Sequence, residues 1–511
     1  CVLMGAASVL RADLHLARDG ATAYGVVLPE RPSPADAYAA RVLTNALYQA
    51  TGASFPVNAD GPPASRETAP AIFIGLGAAA RARLGEPDPL AGLADEEHVA
   101  HSQGADIFLY GKGARGNLYA VMDFLRKSLG WRWFSVFSRP AVPARPVLRL
   151  APFHRRRGVS FAVREILPYF DPAYYYLQGA NATYAWTPSN ANWDRYVARG
   201  ILPALDGRNR IGGVHSLFQY IPPHPDSMLW PAYQRVFGDA LREQRYFETH
   251  PEYFSANAAG QRSPSQLCFS NPGLRATLTG DILEHIRREG EATFVTVGAE
   301  DSGGRLCHCD GCKALEARYE TPGGAYFDYL LELCATVAER HPAARLKGLA
   351  YRREQTQKPP KLPEGKRFPD NFALTFAPVN DCYLGDWSQP DPDLQATYRD
   401  LQGWRKIVSH LWVWNYPNPY GTGQVMPLGN VQRLVTTMRL AHAAGAEGFY
   451  VEHASGVLEG GNFTELLAYL FLNLSMDIEA DAQALVREFT DAQYGPAGKL
   501  ARTYLDELEQ G

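Results

Sequence analysis

A chain of 511 residues is too long for one ordinary core, so two or three domains are expected. Hydrophobic residues at 46% and charged residues at 20% describe a globular protein, and a formal net charge of -4 leaves no basic footprint. Nucleic acid is therefore not an expected partner, and beyond the first residues no stretch is apolar for long enough to predict a membrane span.

The opening CVLMGAASVLRA (residues 1–12) is small and apolar, and reads as the tail of a secretory signal. A lipid-anchored Cys1 or an ordinary first strand are the other readings. Export predicts a periplasmic or extracellular protein, with a lipid-anchored surface form as the variant. Residues 13–137 alternate strand-like and helix-like patterns: YGVVLP, then the amphipathic ADAYAARVLTNALYQATG with its Gly stop, then FPVN, AIFIGLG and DIFLYGKG, then GNLYAVMDFLRKSLG. This pattern predicts a small α/β layer domain. GLGAAARARLG lacks the spacing of a phosphate loop.

The Pro-rich SRPAVPARPVLRLAP (residues 138–152) reads as a linker. From 153 to 475 strand-like runs recur: GVSFAVRE, GGVHSLF, QLCFS, TFVTVGAED, LKGLAY, NFALTFAP, HLWVWNY and GFYVEHA. Helical patterns such as GDILEHIRREG, AYFDYLLELCATVAERHP and NVQRLVTTMRLAHAAG separate several of them. The expected fold is α/β, a (β/α)8 barrel following the small layer domain, with QLCFS the weakest strand. Residues 476–511 read as C-terminal helices.

In such barrels, catalytic side chains sit at the C-terminal ends of strands. Polar and aromatic groups end the runs here: Arg164, His215, Glu300 with Asp301, Tyr351, Asn415 with Tyr416, and Glu452. A ring of carboxylates and hydrogen-bonding groups suits a sugar site, and glycan is the expected partner. Glu300 and Asp301, followed by Ser-Gly-Gly, are the catalytic candidates, because a carboxylate pair can protonate a leaving oxygen and stabilise developing positive charge. A loop-capping acidic pair is the plainer reading. Two mechanisms stay open: substrate-assisted cleavage by adjacent carboxylates, or two carboxylates on different strands, such as Glu300 and Glu452. His215 either binds a sugar hydroxyl or bonds a neighbouring loop. Arg164 would suit a substrate carboxylate. Trp412, Trp414 and Tyr416 share one face of a strand, either the barrel interior, as a stacking wall, or the helical layer.

Catalysis by carboxylates calls for no cofactor. Cys307, Cys309 and Cys312 in CHCDGC, with Cys268 ending QLCFS, predict a structural clamp behind Glu300-Asp301. Either a closed zinc site or disulfides would serve, although Cys307 and Cys309 are too close in sequence to pair comfortably.

The ordered series GGVHSLF, HPEYFSANAAGQR, QLCFSNP, the acidic strand end and CHCDGC resembles glycoside hydrolase family 163, the bacterial domain-of-unknown-function 4838 family. GNLYAVMDFLRKSLGWRWF resembles the N-terminal domain of α-glucuronidases and β-hexosaminidases. The resemblance implies an endo-β-N-acetylglucosaminidase acting on complex N-glycans. By analogy it would have Glu300 orient the substrate acetamido group and Asp301 act as the acid. A glycosidase of another specificity, for example for uronic-acid sugars, and a non-catalytic glycan-binding protein are the alternatives.

Overall fold

The computed structural model describes residues 13–59, 69–166, 172–180, 182–183, 215–223, 246–290, 294–417, 427–452 and 463–510. The N-terminal layer holds β1 (Leu14–Arg18), β2 (Gly25–Leu28), β3 (Val57–Ala59), β4 (Ala71–Ile74), β5 (His98–Gln103), β6 (Asp106–Gly111), β7 (Val147–Leu150) and β8 (His154–Arg157). Six of these form a mixed sheet ordered β3-β2-β4-β6-β5-β8, and β1 pairs antiparallel with β7 beside it. The helix Pro34–Thr51 starts where the sequence favours it. Ser33 and Asp36 exchange side-chain and backbone hydrogen bonds in a capping box, Pro34 occupies the first turn, and Gly52 ends the helix at φ 72°. The Pro-rich stretch expected to be a linker instead contains β7. The chain then returns to the first sheet as β8, so this layer extends to Arg157.

The second unit is a parallel barrel. Its strands are β9 (Val163–Ile166), β10 (Ala182–Thr183), β13 (Phe294–Thr296), β14 (Arg345–Ala350), β15 (Phe372–Phe376), β16 (His410–Asn415) and β17 (Gly448–Val451). A separate antiparallel hairpin, β11 (Phe254–Ala256) and β12 (Arg262–Leu267), lies between β10 and β13 in sequence. The barrel order is β10-β9-β17-β16-β15-β14-β13, all parallel, with β17 returning to β9. Next to β13, His215 makes a parallel bridge with Gly298 and supplies an eighth strand position. Two expectations are corrected here. QLCFS belongs to the hairpin rather than the barrel, and the two-residue β10 takes a place that no apolar run announced.

Strands β14 to β17 are buried almost throughout, as expected when helices cover one face and the barrel interior the other. The interior is filled by Val163, Leu349, Tyr351, Ala373, Trp412, Trp414, Tyr416 and Tyr450. Gly448 makes room for this packing, because a Cβ there would meet the Trp412 ring at 2.7 Å. Helices Thr464–Met476, Ala482–Tyr494 and Gly498–Gln510 finish the chain. Among the described residues no helix is long and apolar enough to cross a membrane.

Candidate active site

Strand β13 delivers Glu300 and Asp301 to the C-terminal end of the barrel, and the hairpin β11–β12 holds them there. Gln266, near the end of β12, accepts from the Glu300 N–H at 3.1 Å and donates through Nε2 to the Glu300 carbonyl and to Ser302 Oγ (2.9 Å). The Ser302 N–H turns back to the Glu300 carbonyl at 3.0 Å. Gln355 ties the same turn down by donating to the carbonyls of Ser302 and Gly304. An extended strand would aim the two carboxylates oppositely, and this turn lets each find its own partners.

Glu300 Oε1 accepts from the Phe218 N–H at 2.7 Å. Burial raises its pKa, backbone N–H groups of Phe218 and Leu217 oppose the rise, and the nearby Asp301 charge adds to it, leaving the carboxyl pushed up to about 7. Asp301 is the open member, with its side chain 56% exposed and its Oδ1 3.2 Å from Arg352 Nη2. The Tyr351 phenol beside it is held protonated far above neutral pH, first by burial and then by the Asp301 charge.

His215 joins this group. Its Nδ1 lies 2.6 Å from the Ala299 carbonyl. A carbonyl can only accept, so Nδ1 carries the proton and Nε2 is left as an acceptor. Burial lowers its pKa, which keeps the ring neutral. The ring meets Tyr351 edge-on at 5.1 Å, and the Arg352 guanidinium lies 4.9 Å from the Tyr351 ring centre.

Tyr351 links the acidic pair to the aromatic interior. Trp414 and Tyr416 face inward with it, stacked at 5.6 Å and 19°. Both are about 5% exposed, so they form the floor of the barrel mouth rather than an open platform. Trp414 Nε1 donates to Glu452 Oε2 at 2.8 Å, and the Glu452 charge reaches both Tyr351 and Tyr383. Asn415 alternates with these residues, on the same face as Leu411 and Val413 in the outer core, and is not part of the inward group.

Arg164 corrects an expectation. Its side chain is fully buried on the outer face of β9, donating to Glu96 Oε2 (2.5 Å), Tyr119 OH (3.0 Å) and the Gly179 carbonyl (2.6 Å). It joins the N-terminal layer to the barrel and is sealed from any substrate. A cavity of about 680 Å³ between the two units is lined by residues such as Arg126, Asp123 and Asn473, and by none of the strand-end candidates.

Sequence reading missed Gln266, Arg352 and Tyr383. Of these only Arg352, one residue past the end of strand LKGLAY, stood where strand-end reasoning could have found it.

Cys268, Cys307, Cys309 and Cys312 come together as expected, all four sulfurs lying within 4.8 Å of one another. None is disulfide-bonded.

The sequence pattern of the family described as "Domain of unknown function (DUF4838)" matches residues 175–506. The chain belongs to this family. The match takes in the acidic pair, the cysteine cluster and most of the C-terminal helices. No curated protein matches the chain in sequence. Among solved structures it is similar to a family GH115 4-O-methyl-α-glucuronidase with specificity for decorated arabinogalactans, at 10% identity and a TM-score of 0.56 over 97% of this chain and 62% of that one. It thus spans less than two thirds of that enzyme's length. A β-N-acetylhexosaminidase from Bacteroides fragilis NCTC 9343 aligns over 98% of this chain and 93% of that one, at 11% identity and a TM-score of 0.46. A GH20 β-N-acetylhexosaminidase from Streptomyces coelicolor A3(2) aligns over 96% and 94%, at 13% identity and 0.46. At 10% identity the likeness to the first of these speaks for the fold alone.

Proposed function

We propose that this protein is a retaining glycoside hydrolase that cleaves β-linked N-acetylglucosamine in a glycan by substrate-assisted catalysis. The observation that carries the reading is the Glu300–Asp301 strand end, where one carboxyl is raised to about 7 and its neighbour is exposed beside a protonated tyrosine. A 2-acetamido group offers one N–H donor and one carbonyl acceptor. Asp301 accepts the N–H and Tyr351 presents its hydroxyl, aiming the acetamido oxygen at the anomeric carbon. That oxygen forms a bond to C1 as the bond to the leaving oxygen breaks, and Glu300 donates its proton to the leaving oxygen. Water, deprotonated by Glu300, then opens the cyclic intermediate with net retention.

These roles reverse the family analogy, which made Asp301 the acid. The raised carboxyl belongs to Glu300, and proton donation at neutral pH needs that group. Resemblance to glycoside hydrolase family 163 supports a complex N-glycan and an endo cut, and the leader-like first residues support export.

A second reading, with separate carboxylates and another sugar, has one observation in its favour: the Glu452 charge reaches Tyr351 as the Asp301 charge does. Paired aryl β-glycosides that differ only at C2 separate the two. Substrate assistance predicts cleavage of the N-acetylglucosaminide with at least ~100-fold preference over the glucoside and a β-configured first product by NMR. Comparable rates, or inversion, would remove it.

A further inference from the structure

We propose that Cys268, Cys307, Cys309 and Cys312 bind one zinc ion in a closed tetrahedral thiolate site that fastens the hairpin to the acidic loop. The sulfur spacing carries this inference. Tetrahedral zinc with Zn–S bonds of about 2.3 Å places its sulfurs about 3.8 Å apart. Cys268 Sγ lies 3.5 Å from Cys309, 3.8 Å from Cys307 and 3.9 Å from Cys312. A disulfide requires about 2.05 Å. A multi-iron cluster, which interposes several metals and sulfides, would spread the four sulfurs wider than the 4.8 Å that encloses them.

The surroundings suit a doubly negative metal–thiolate centre. The Ala256 N–H donates to Cys307 Sγ at 3.3 Å, and the Cys312 N–H to Cys309 Sγ at 3.5 Å. Cys309 is thereby the N-cap of the helix Asp310–Tyr319, whose positive end faces the sulfurs. Ser270 Oγ stands 3.3 Å from both Cys309 and Cys312. A Cβ on Gly311 would meet that hydroxyl at 2.7 Å, which explains the glycine of the CDGC motif. Three of the four cysteines are buried, and no open coordination position is evident among the described residues, so the metal serves structure rather than chemistry.

The site also explains how the loop is held. Cys268 follows β12 directly, two residues after Gln266, which grips Glu300. Cys307 and Cys309 close the other end of the acidic turn. One ion thus ties together the hairpin, the turn and the following helix.

The test uses the full chain, purified without chelators, with metal content by plasma mass spectrometry and zinc-edge X-ray absorption. About one zinc per chain with four sulfur neighbours at about 2.3 Å is expected. Cys309→Ser keeps a helix-capping oxygen and should lower bound zinc at least ~10-fold. If that variant fails to fold, titrating the wild type with a mercurial thiol reagent should release zinc stoichiometrically. No zinc together with four free thiols, an intact mass showing disulfides, or iron in place of zinc would each overturn the proposal. None of these readouts depends on glycosidase activity, so its failure is distinct from failure of the functional reading.

Discussion

The Gln266 side-chain amide grips the backbone of Glu300 from both sides, accepting from its N–H at 3.1 Å and donating to its carbonyl. Gln266 is 1% exposed and sits on a different element from the acidic pair, so its effect on chemistry runs through position alone. Gln266→Leu should lower kcat by roughly 10–100-fold with little change in KM, since misplacement near 1 Å can cost that much. A variant with unchanged kcat in steady-state assays would detach this clamp from catalysis.

Glu300 sets the pH dependence. A general acid works while protonated, so with a carboxyl near 7 the rate on a natural glycan should fall as pH rises through about 7. Glu300→Gln cannot lose a proton in that range. Its residual rate on an aryl glycoside with a good leaving group, which needs little protonation, should lack that alkaline limb. A limb that survives the substitution would assign the ionisation elsewhere.

Tyr351→Phe removes the hydroxyl beside Asp301 and leaves the ring that packs on His215 and Arg352. The expectation is a fall in kcat/KM of about 10- to 100-fold, on the order of a hydrogen bond to a charged group, with thermal unfolding nearly unchanged. An equal loss on substrates with and without the acetamido group would argue against its orienting role.

Arg164 and Glu96 make a prediction about stability rather than activity. The pair is 0% and 5% exposed, and Glu96 also meets Arg115 at 2.7 Å. Burial raises the Glu96 pKa, and the two guanidiniums outweigh it and hold the group below its ordinary value. This stabilisation is present above the unfolded carboxyl range near 4.5 and is lost as pH falls through the lower folded value. Glu96→Gln removes the carboxylate that faces the buried Arg164 and should cost about 3–5 kcal/mol in denaturant unfolding. A cost under ~1 kcal/mol would contradict that reading of the interface.

The later barrel strands were legible because LKGLAY, NFALTFAP, HLWVWNY and GFYVEHA are continuous apolar runs between helical patterns. The early strands were not. β10 has two residues, and the third strand position is a single bridge at His215, too short for hydrophobic periodicity to register. QLCFS reads as a barrel strand because burial alone cannot tell a hairpin packed on the barrel from a strand inside it. The acidic pair was visible as two carboxylates ending a strand. Which of them holds the proton was not, because that depends on amides at 217–218 that lie about eighty residues earlier in the chain. Arg164 misled for a related reason. A polar residue in a barrel strand looks like a site until its partner, sixty-eight residues earlier, is known.

The most direct test is release of glycan from a complex-type N-glycoprotein, followed by mass spectrometry, for wild type, Asp301→Asn and Glu300→Gln. The account predicts release by the wild type and a fall of at least ~100-fold in both variants. On an aryl N-acetylglucosaminide with a good leaving group, kcat/KM, which reads the first step alone, should return largely to Glu300→Gln but not to Asp301→Asn. Rescue of Asp301→Asn instead would exchange the two roles. Wild-type rates in both variants would contradict the claim that this strand end is the catalytic centre.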